Sequence, residues 1–227
     1  MNKSLCGKFI VLDGPDGSGK STQHRRLEQR LESQGIEAVS CRDPGGTDIG
    51  DRIRSILLDF DLSEMDVHCE TMLFMASRAQ LASQVIRPAL ASGKTVLCDR
   101  YVTSTCAYQG AAGYDPHRVI ELAKYALDGL WPDITIVLDI DPETGFRRIG
   151  RGPQHAGKNR RSGQPDLFVG TRPDAMEARS IEFHRRVRAL FLELHSYYPA
   201  PVITINAGED VDAVEAGIWE ALNGVLA

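Results

Sequence analysis

Two periods of apolar and polar positions alternate along this chain. Lys8 to Asp13 (KFIVLD) is a near-continuous apolar run, the pattern of a strand buried on both faces of a parallel sheet. From Ser21 to Gln34 the period becomes helical, with Leu27 and Leu31 one turn apart and Gly35 as the stop. Residues 37–41 predict a second strand, and Asp43-Pro44-Gly45-Gly46-Thr47 a loop. Ile49, Ile53, Ile56 and Leu57 recur at helical spacing over 48–59. A long helical stretch covers about 69–92, with Pro88 as a kink or boundary because proline removes a backbone donor. Strands are predicted at 95–98, 134–140 and 202–205, with helical segments over 102–128 and from Pro142 to Arg148. Asp174 is the expected cap of a helix running to about Tyr198, and residues 211–226 form a closing helix.

Strands thus alternate with helices throughout. The fold class is α/β: a five-stranded parallel sheet flanked by helices, in a single domain over residues 1–227. Between Arg151 and Pro173 the periodicity collapses into Gly, Pro, Arg and Gln. A loop of that length is usually reserved for function, and it predicts a mobile lid over about 148–173.

Composition adds constraints. The chain has 227 residues, 42% hydrophobic and 25% charged, ordinary for a globular protein. No apolar run approaches the roughly 20 residues that span a bilayer. The first eight residues lack the features of a signal peptide, so the expected address is cytoplasmic, with no membrane partner. Five cysteines, an odd number without a CxxC pair, argue against a disulfide framework or zinc site and predict small buried hydrophobes. The net charge of −5 favours no nucleic acid. Residues 147–188, however, carry 11 Lys and Arg against 4 Asp and Glu, which suits a confined anionic ligand.

The chemistry enters at Gly14-Pro15-Asp16-Gly17-Ser18-Gly19-Lys20-Ser21-Thr22, which matches GxxxxGK[ST] between a buried strand and a helix. Glycines at these positions let backbone N–H groups close around the phosphates of ATP, aided by the helix N-terminus. Lys20 would reach the β- and γ-phosphates, and the Ser21 hydroxyl would help to hold Mg²⁺. A P-loop by itself is shared by switches, motors and kinases.

Several further segments, in order, resemble the thymidylate kinase family over roughly residues 8–223: the GPDGSGKST loop, RDPGGT, MLFMASRAQ, DRYVTSTCAYQG and a basic lid. The resemblance implies a homodimeric phosphotransferase that moves the γ-phosphoryl group of ATP onto dTMP, giving dTDP and ADP with Mg²⁺. It also implies residue roles. Asp16 matches the acid that bonds the deoxyribose 3′-hydroxyl. Arg42 and Pro44 match the monophosphate pocket. Phe74 matches the ring stacked on thymine, and Arg78 the group aimed at a base carbonyl. Arg100 matches the acceptor-phosphate ligand, and Asp99 the acid supporting Mg²⁺ or its waters. Ser104, Thr105, Tyr108 and Gln109 fall in the S-T-x-x-A-Y-Q pattern, where Thr105 reads thymine N3 and Tyr108 packs beneath the sugar and excludes a 2′-hydroxyl. Asn206-Ala207 stands where the family packs a turn on adenine, with Asn for the usual Asp. Gly17 occupies the place where one class of the family carries its catalytic arginine. The resemblance is therefore to the class that supplies arginines from the lid, with Arg148 and Arg151 at its start and Arg172 further along. Ala175 stands where the family commonly has Arg.

Taken without the family, DPGG is simply a tight turn, Phe74 a core residue and Arg78 a solvated helix end. Two other functions fit a P-loop chain: a kinase for another nucleoside or nucleotide, and an ATP-binding switch. Thr105, Tyr108 and the RDPGGT loop argue against the first, and a switch needs no acceptor pocket.

Overall fold

The structure, a computed structural model, describes residues 3–59, 64–150 and 179–226. The five strands are β1 Phe9–Asp13, β2 Ala38–Arg42, β3 Thr95–Asp99, β4 Ile134–Asp139 and β5 Val202–Asn206. All pair in parallel, in the order β2-β3-β1-β4-β5. This is the expected five-stranded parallel sheet. Helices α1 Lys20–Ser33, α2 Asp48–Leu58, α3 Val67–Leu81, α4 Arg87–Ala91, α5 Val102–Ala111, α6 Pro116–Ala126, α7 Pro142–Arg148, α8 Ile181–Glu193 and α9 Val211–Leu226 cover it on both sides.

The strand runs read as continuously apolar because successive residues serve two cores. Phe9, Val11, Val96, Cys98 and Val137 pack with Met75 of α3, Val102 of α5, Val119 of α6 and Val187 of α8. Ile10, Leu12, Leu97, Ile136 and Leu138 pack on the opposite face with Leu27 and Leu31 of α1 and Ile218 and Leu222 of α9. Side chains alternate across a strand, so a strand covered by helices on both sides needs apolar residues at every position.

Two helical expectations are corrected, the course of the stretch over 69–92 and the end of the helix at about Tyr198. The stretch expected over 69–92 starts at Val67, capped by Asp66, and divides into α3, a π-helical segment Ala82–Ile86 and α4. The widened turn, in which the Arg87 N–H reaches the Ala82 carbonyl, lies just ahead of Pro88. Proline has no N–H for the carbonyl four residues earlier, and the chain changes its bonding pattern before reaching it. The expected Asp174 cap lies outside the described residues, and the cap of α8 is Ser180, whose hydroxyl accepts from Phe183 N at 3.3 Å. Helix α8 ends at Glu193, with a 3-10 turn Leu194–Ser196 before Tyr198. The cysteines also divide: Cys98 and Cys106 are buried and Cys41 half-buried, but Cys6 and Cys69 are exposed. Among the described residues, no helix is long and apolar enough to cross a membrane.

Strands β1 and β3 are neighbours at the centre, yet the chain leaves β1 for the edge strand β2 and leaves β3 for β4 on the other side of β1. The crevice outside the carboxyl ends of such strands is where open α/β sheets bind ligands. Here the first turn of α7 presses on the loop after β1. A Cβ built on Gly145 would lie 2.4 Å from the Asp16 carbonyl oxygen. Gly145→Ala is therefore expected to force that loop aside and cost about 1–3 kcal/mol. Gly224→Ala, in open space near the end of α9, is expected to be neutral or slightly stabilising. Urea unfolding of the two variants checks this, and equal stabilities would refute it.

Candidate active site

The loop 14–19 joins β1 to α1, and its glycines are fixed by contact as much as by conformation. Gly14 has φ of 135°, and a Cβ there would lie 2.4 Å from the Leu138 carbonyl oxygen. Gly17 has φ of 76°, and its Cβ would lie 2.2 Å from the Gly145 carbonyl oxygen. No larger side chain fits at 17 without displacing α7. Lys20 Nζ donates to the carbonyls of Gly14 and Pro15, both at 2.9 Å. The ammonium thus lies folded against the loop that a polyphosphate would occupy. Burial lowers its pKa to about 8, helped by the Arg100 charge and opposed by Asp16, Asp99 and Asp13.

Arg100 organises the centre. It follows β3 directly and has φ of 70°, an unusual backbone for a non-glycine residue. Its Nη2 donates to Asp16 Oδ1 at 2.7 Å, and its Nη1 to the Gly14 carbonyl at 3.0 Å and to Ser104 Oγ at 3.1 Å. Asp13, fully buried, accepts from Thr103 Oγ1 at 2.5 Å, Ser104 Oγ at 2.6 Å and Gly14 N at 2.8 Å. Tyr108 donates its hydroxyl to Asp16 Oδ2 at 3.1 Å. Burial pushes the Asp16 carboxyl up, but the charges of Arg100, Lys20 and His184 and the Tyr108 hydrogen bond outweigh it and hold it below the usual carboxylate value.

A pocket opens beside this centre, lined in part by Asp16, Pro44, Phe74, Arg78, Arg100 and Thr105. Ser104, Tyr108 and Gln109 line it too. Arg78 is not a solvated helix end: it is 1% exposed. Its Nε pairs with Asp43, and its Nη2 donates to the Tyr101 carbonyl and to Thr105 Oγ1, each at 3.0 Å. The buried charge has its counter-charge and hydrogen bonds, as it must. Nor is DPGG merely a turn. Its Gly45 N–H is received by Ser77 Oγ at 3.0 Å, so α3 holds the loop by both Arg78 and Ser77. The Asp43–Pro44 peptide is cis.

Of the residues expected on the acceptor side, Arg42 is not in this pocket. Arg42 is exposed and lines a neighbouring groove with Ser21, His24 and Asp99, because adjacent residues of an extended chain point to opposite sides and Asp43 takes the inward place. Arg148 points elsewhere, donating to the Ala207 carbonyl at 2.8 Å and the Gly208 carbonyl at 3.4 Å. Ala207 is buried, with its N–H on the Asp139 carbonyl at 2.8 Å. Arg151, Arg172 and most of the expected lid lie outside the described residues. Conversely, the sequence reading passed over Asp43, Arg54 and Leu58 as pocket walls, and also Glu70. Two spacings carried the signal: Arg54 and Leu58 are four apart on α2, and Glu70 precedes Phe74 and Arg78 by four and eight on α3.

Ser18 Oγ and Asp99 Oδ1 are among the buried oxygens with no hydrogen-bond partner in the described residues, as is Asp43 Oδ1 in the acceptor pocket. Asp99 shares its groove with Ser21. A carboxylate oxygen and a hydroxyl facing one groove beside a phosphate-binding loop suit a hard cation such as Mg²⁺.

A parallel α/β sheet carrying a P-loop, with a pocket beside it lined by Asp16 and Arg100, is the arrangement of a P-loop phosphotransferase. Comparison with known proteins narrows the class. The family model described as thymidylate kinase matches residues 12–218. The chain is 40% identical over 218 residues to the thymidylate kinase of Deinococcus radiodurans, covering 96% of this chain and 97% of that one. It is 38% identical over 227 residues to that of Clostridium novyi, covering both completely, and 41% identical over 212 residues to that of an Exiguobacterium species, covering 93% and 92%. The chain belongs to the thymidylate kinase family.

The Lys20 shift has a sign that can be checked. The folded, ligand-free chain releases this proton near pH 8, whereas an unfolded chain holds it up to its ordinary value of 10.5. Between those values the unfolded state binds more protons, so the Lys20 contribution to stability rises with pH. Unfolding free energies of wild type and Lys20→Met, measured from pH 7 to 10, are expected to converge as pH rises, with the wild type gaining. A constant difference across that range would remove the assigned shift.

Proposed function

We propose that this chain performs the reaction for which its family is named: the γ-phosphoryl group of ATP passes to dTMP, giving dTDP and ADP. The observation that carries this reading is the pocket beside the P-loop, which Phe74, Arg78, Thr105 and Tyr108 line together with Arg100. Phe74 offers a ring for stacking, the Arg78–Thr105 pair offers polar atoms to a pyrimidine edge, and the Asp16–Tyr108 pair closes the space beneath a deoxyribose. Arg100 takes the acceptor phosphate, for which its planar fork is suited. Its Asp16 and Gly14 partners already orient it. Lys20 exchanges its two carbonyl partners for phosphate oxygens. No covalent intermediate is required; alignment and cancellation of charge lower the barrier. Mg²⁺, held by Ser21 and Asp99, would supply further neutralisation of the donor phosphates. Residues of the undescribed stretch, Arg151 foremost, complete that neutralisation. Arg148, seated on the Ala207–Gly208 turn, belongs to the purine side of ATP.

The resemblance also supports a cytoplasmic homodimer, and α2 and α3 carry the exposed apolar residues Ile49, Ile56 and Met72 that such an interface would cover.

Two measurements test these assignments. In a coupled assay with several nucleotide acceptors, dTMP is expected to be preferred, with dUMP lower by roughly 10- to 200-fold in kcat/KM for its missing methyl. Faster turnover of dCMP or AMP would overturn the reading. Arg148→Ala is expected to raise KM for ATP severalfold while kcat falls little, whereas Arg151→Ala lowers kcat by roughly 10³-fold or more. The reverse pattern would exchange the two roles.

A further inference from the structure

Glu70 is a buried acid that the reaction just described does not use. It sits on α3 in line with Phe74 and Arg78, and it is 4% exposed. Two donors converge on it, one for each carboxylate oxygen. Arg179 Nη2 donates to Oε1 at 2.8 Å, and Gln109 Nε2 donates to Oε2 at 3.1 Å. Arg179 is itself steadied over the Phe183 ring, 4.7 Å from its centre. Gln109 is 1% exposed and lines the acceptor pocket.

The chemistry of the three groups leaves one arrangement. An ionised carboxylate only accepts and a guanidinium only donates. Gln109 can do either, and its two amide ends differ only in hydrogen bonding. Facing Glu70 it must turn its NH₂ to the carboxylate. The other end of the amide, the carbonyl Oε1, is then what Gln109 offers to the pocket.

We propose that Glu70 and Arg179 are positioning residues that fix the Gln109 amide with its carbonyl toward the acceptor, so that the pocket selects a pyrimidine edge bearing an N–H. Thymine presents such a group at N3, where the Gln109 carbonyl would share the readout with Thr105, whose hydroxyl oxygen already accepts from Arg78; cytosine presents a lone pair there. The inference rests on the functional reading above and adds a source of base selectivity lying one residue behind the pocket wall.

Arg179 makes the idea testable, because it dictates what a neutral residue at 70 must do. In Glu70→Gln the new amide has one oxygen and one NH₂. Arg179 can only take the oxygen, which leaves the NH₂ facing Gln109. Gln109 must then flip to accept, and its own NH₂ turns into the pocket. Removing Arg179 as well frees the oxygen of residue 70 for Gln109 and restores the original orientation.

The experiment measures kcat and KM for dTMP and dCMP in wild type, Glu70→Gln, Arg179→Leu and the double variant, with thermal melting of each. Glu70→Gln is expected to lose about 10-fold or more in kcat/KM for dTMP, chiefly through KM, while dCMP improves. The double variant should return the dTMP to dCMP ratio to within about threefold of wild type, and Arg179→Leu alone should leave it there. A merely structural carboxylate predicts the opposite order, with the double variant worse than either single one. Unchanged selectivity in Glu70→Gln, or no recovery in the double variant, would overturn the proposal. Should Glu70→Gln not fold, Gln109→Leu decides: its dTMP to dCMP ratio must collapse about 10-fold, and a retained ratio overturns the proposal. If wild type does not phosphorylate dTMP, the functional reading fails on its own, and the orientation is judged from calorimetric affinities for dTMP and dCMP in the same proteins.

Discussion

The site depends on one guanidinium that ties the ends of two adjacent strands together through the buried carboxylate of Asp13 and the partly buried one of Asp16. Arg100, one residue beyond β3, reaches across to Asp13 and Asp16 at the end of β1, and takes the Gly14 carbonyl as well. Without that cation, the buried Asp13 and the partly buried Asp16 would each lose their counter-charge in a poorly solvated space, which costs several kcal/mol. With it, the P-loop is tied to the first turn of α5, since Ser104 shares both Arg100 and Asp13. Donor loop and acceptor pocket are thereby built on a common charge network. The left-handed backbone at Arg100 is a modest strain held by those contacts.

The acceptor side follows the same logic one layer out. Asp43 comes from the loop after β2, Arg78 from α3 and Thr105 from α5, and the three meet through Arg78 alone. Burial raises the Asp43 carboxyl above its ordinary value and the Arg78 charge opposes this. The buried charge orders loop, helix and pocket wall together, because an unpaired guanidinium at that depth is so unfavourable that alternative loop positions are excluded. Selectivity in such a pocket comes from polar atoms that cannot be left unmatched, more than from its shape.

Several features were legible in the residues themselves. The three central strands β1, β3 and β4 are short and largely apolar, so local pattern and tertiary environment agree there. The P-loop was legible because its chemistry is local: glycines, lysine and hydroxyl act within nine consecutive positions. The S-T-x-x-A-Y-Q segment was legible through its resemblance to the family's pattern. Arg54 and Glu70 were passed over although their helical spacing was visible, since a charged residue on a helix face is usually solvated and spacing does not say which face meets a cavity.

By itself, then, the sequence determined the alternation of strands and helices, the parallel sheet, the phosphate loop and the family. These depend on periodicity and on contacts between near neighbours. Only the tertiary structure decided that Arg78 is a buried ion-pair partner of Asp43, that Arg42 faces away from the pocket, that Arg148 rests on the Ala207–Gly208 turn, and that Glu70 stands behind Gln109. Each of these joins residues between 35 and 60 positions apart, except Arg42, which is turned outward by the inward place of its neighbour. A long side chain such as arginine can satisfy its donors in many directions, and its choice is made by whichever carbonyl or carboxylate the folded chain brings within reach.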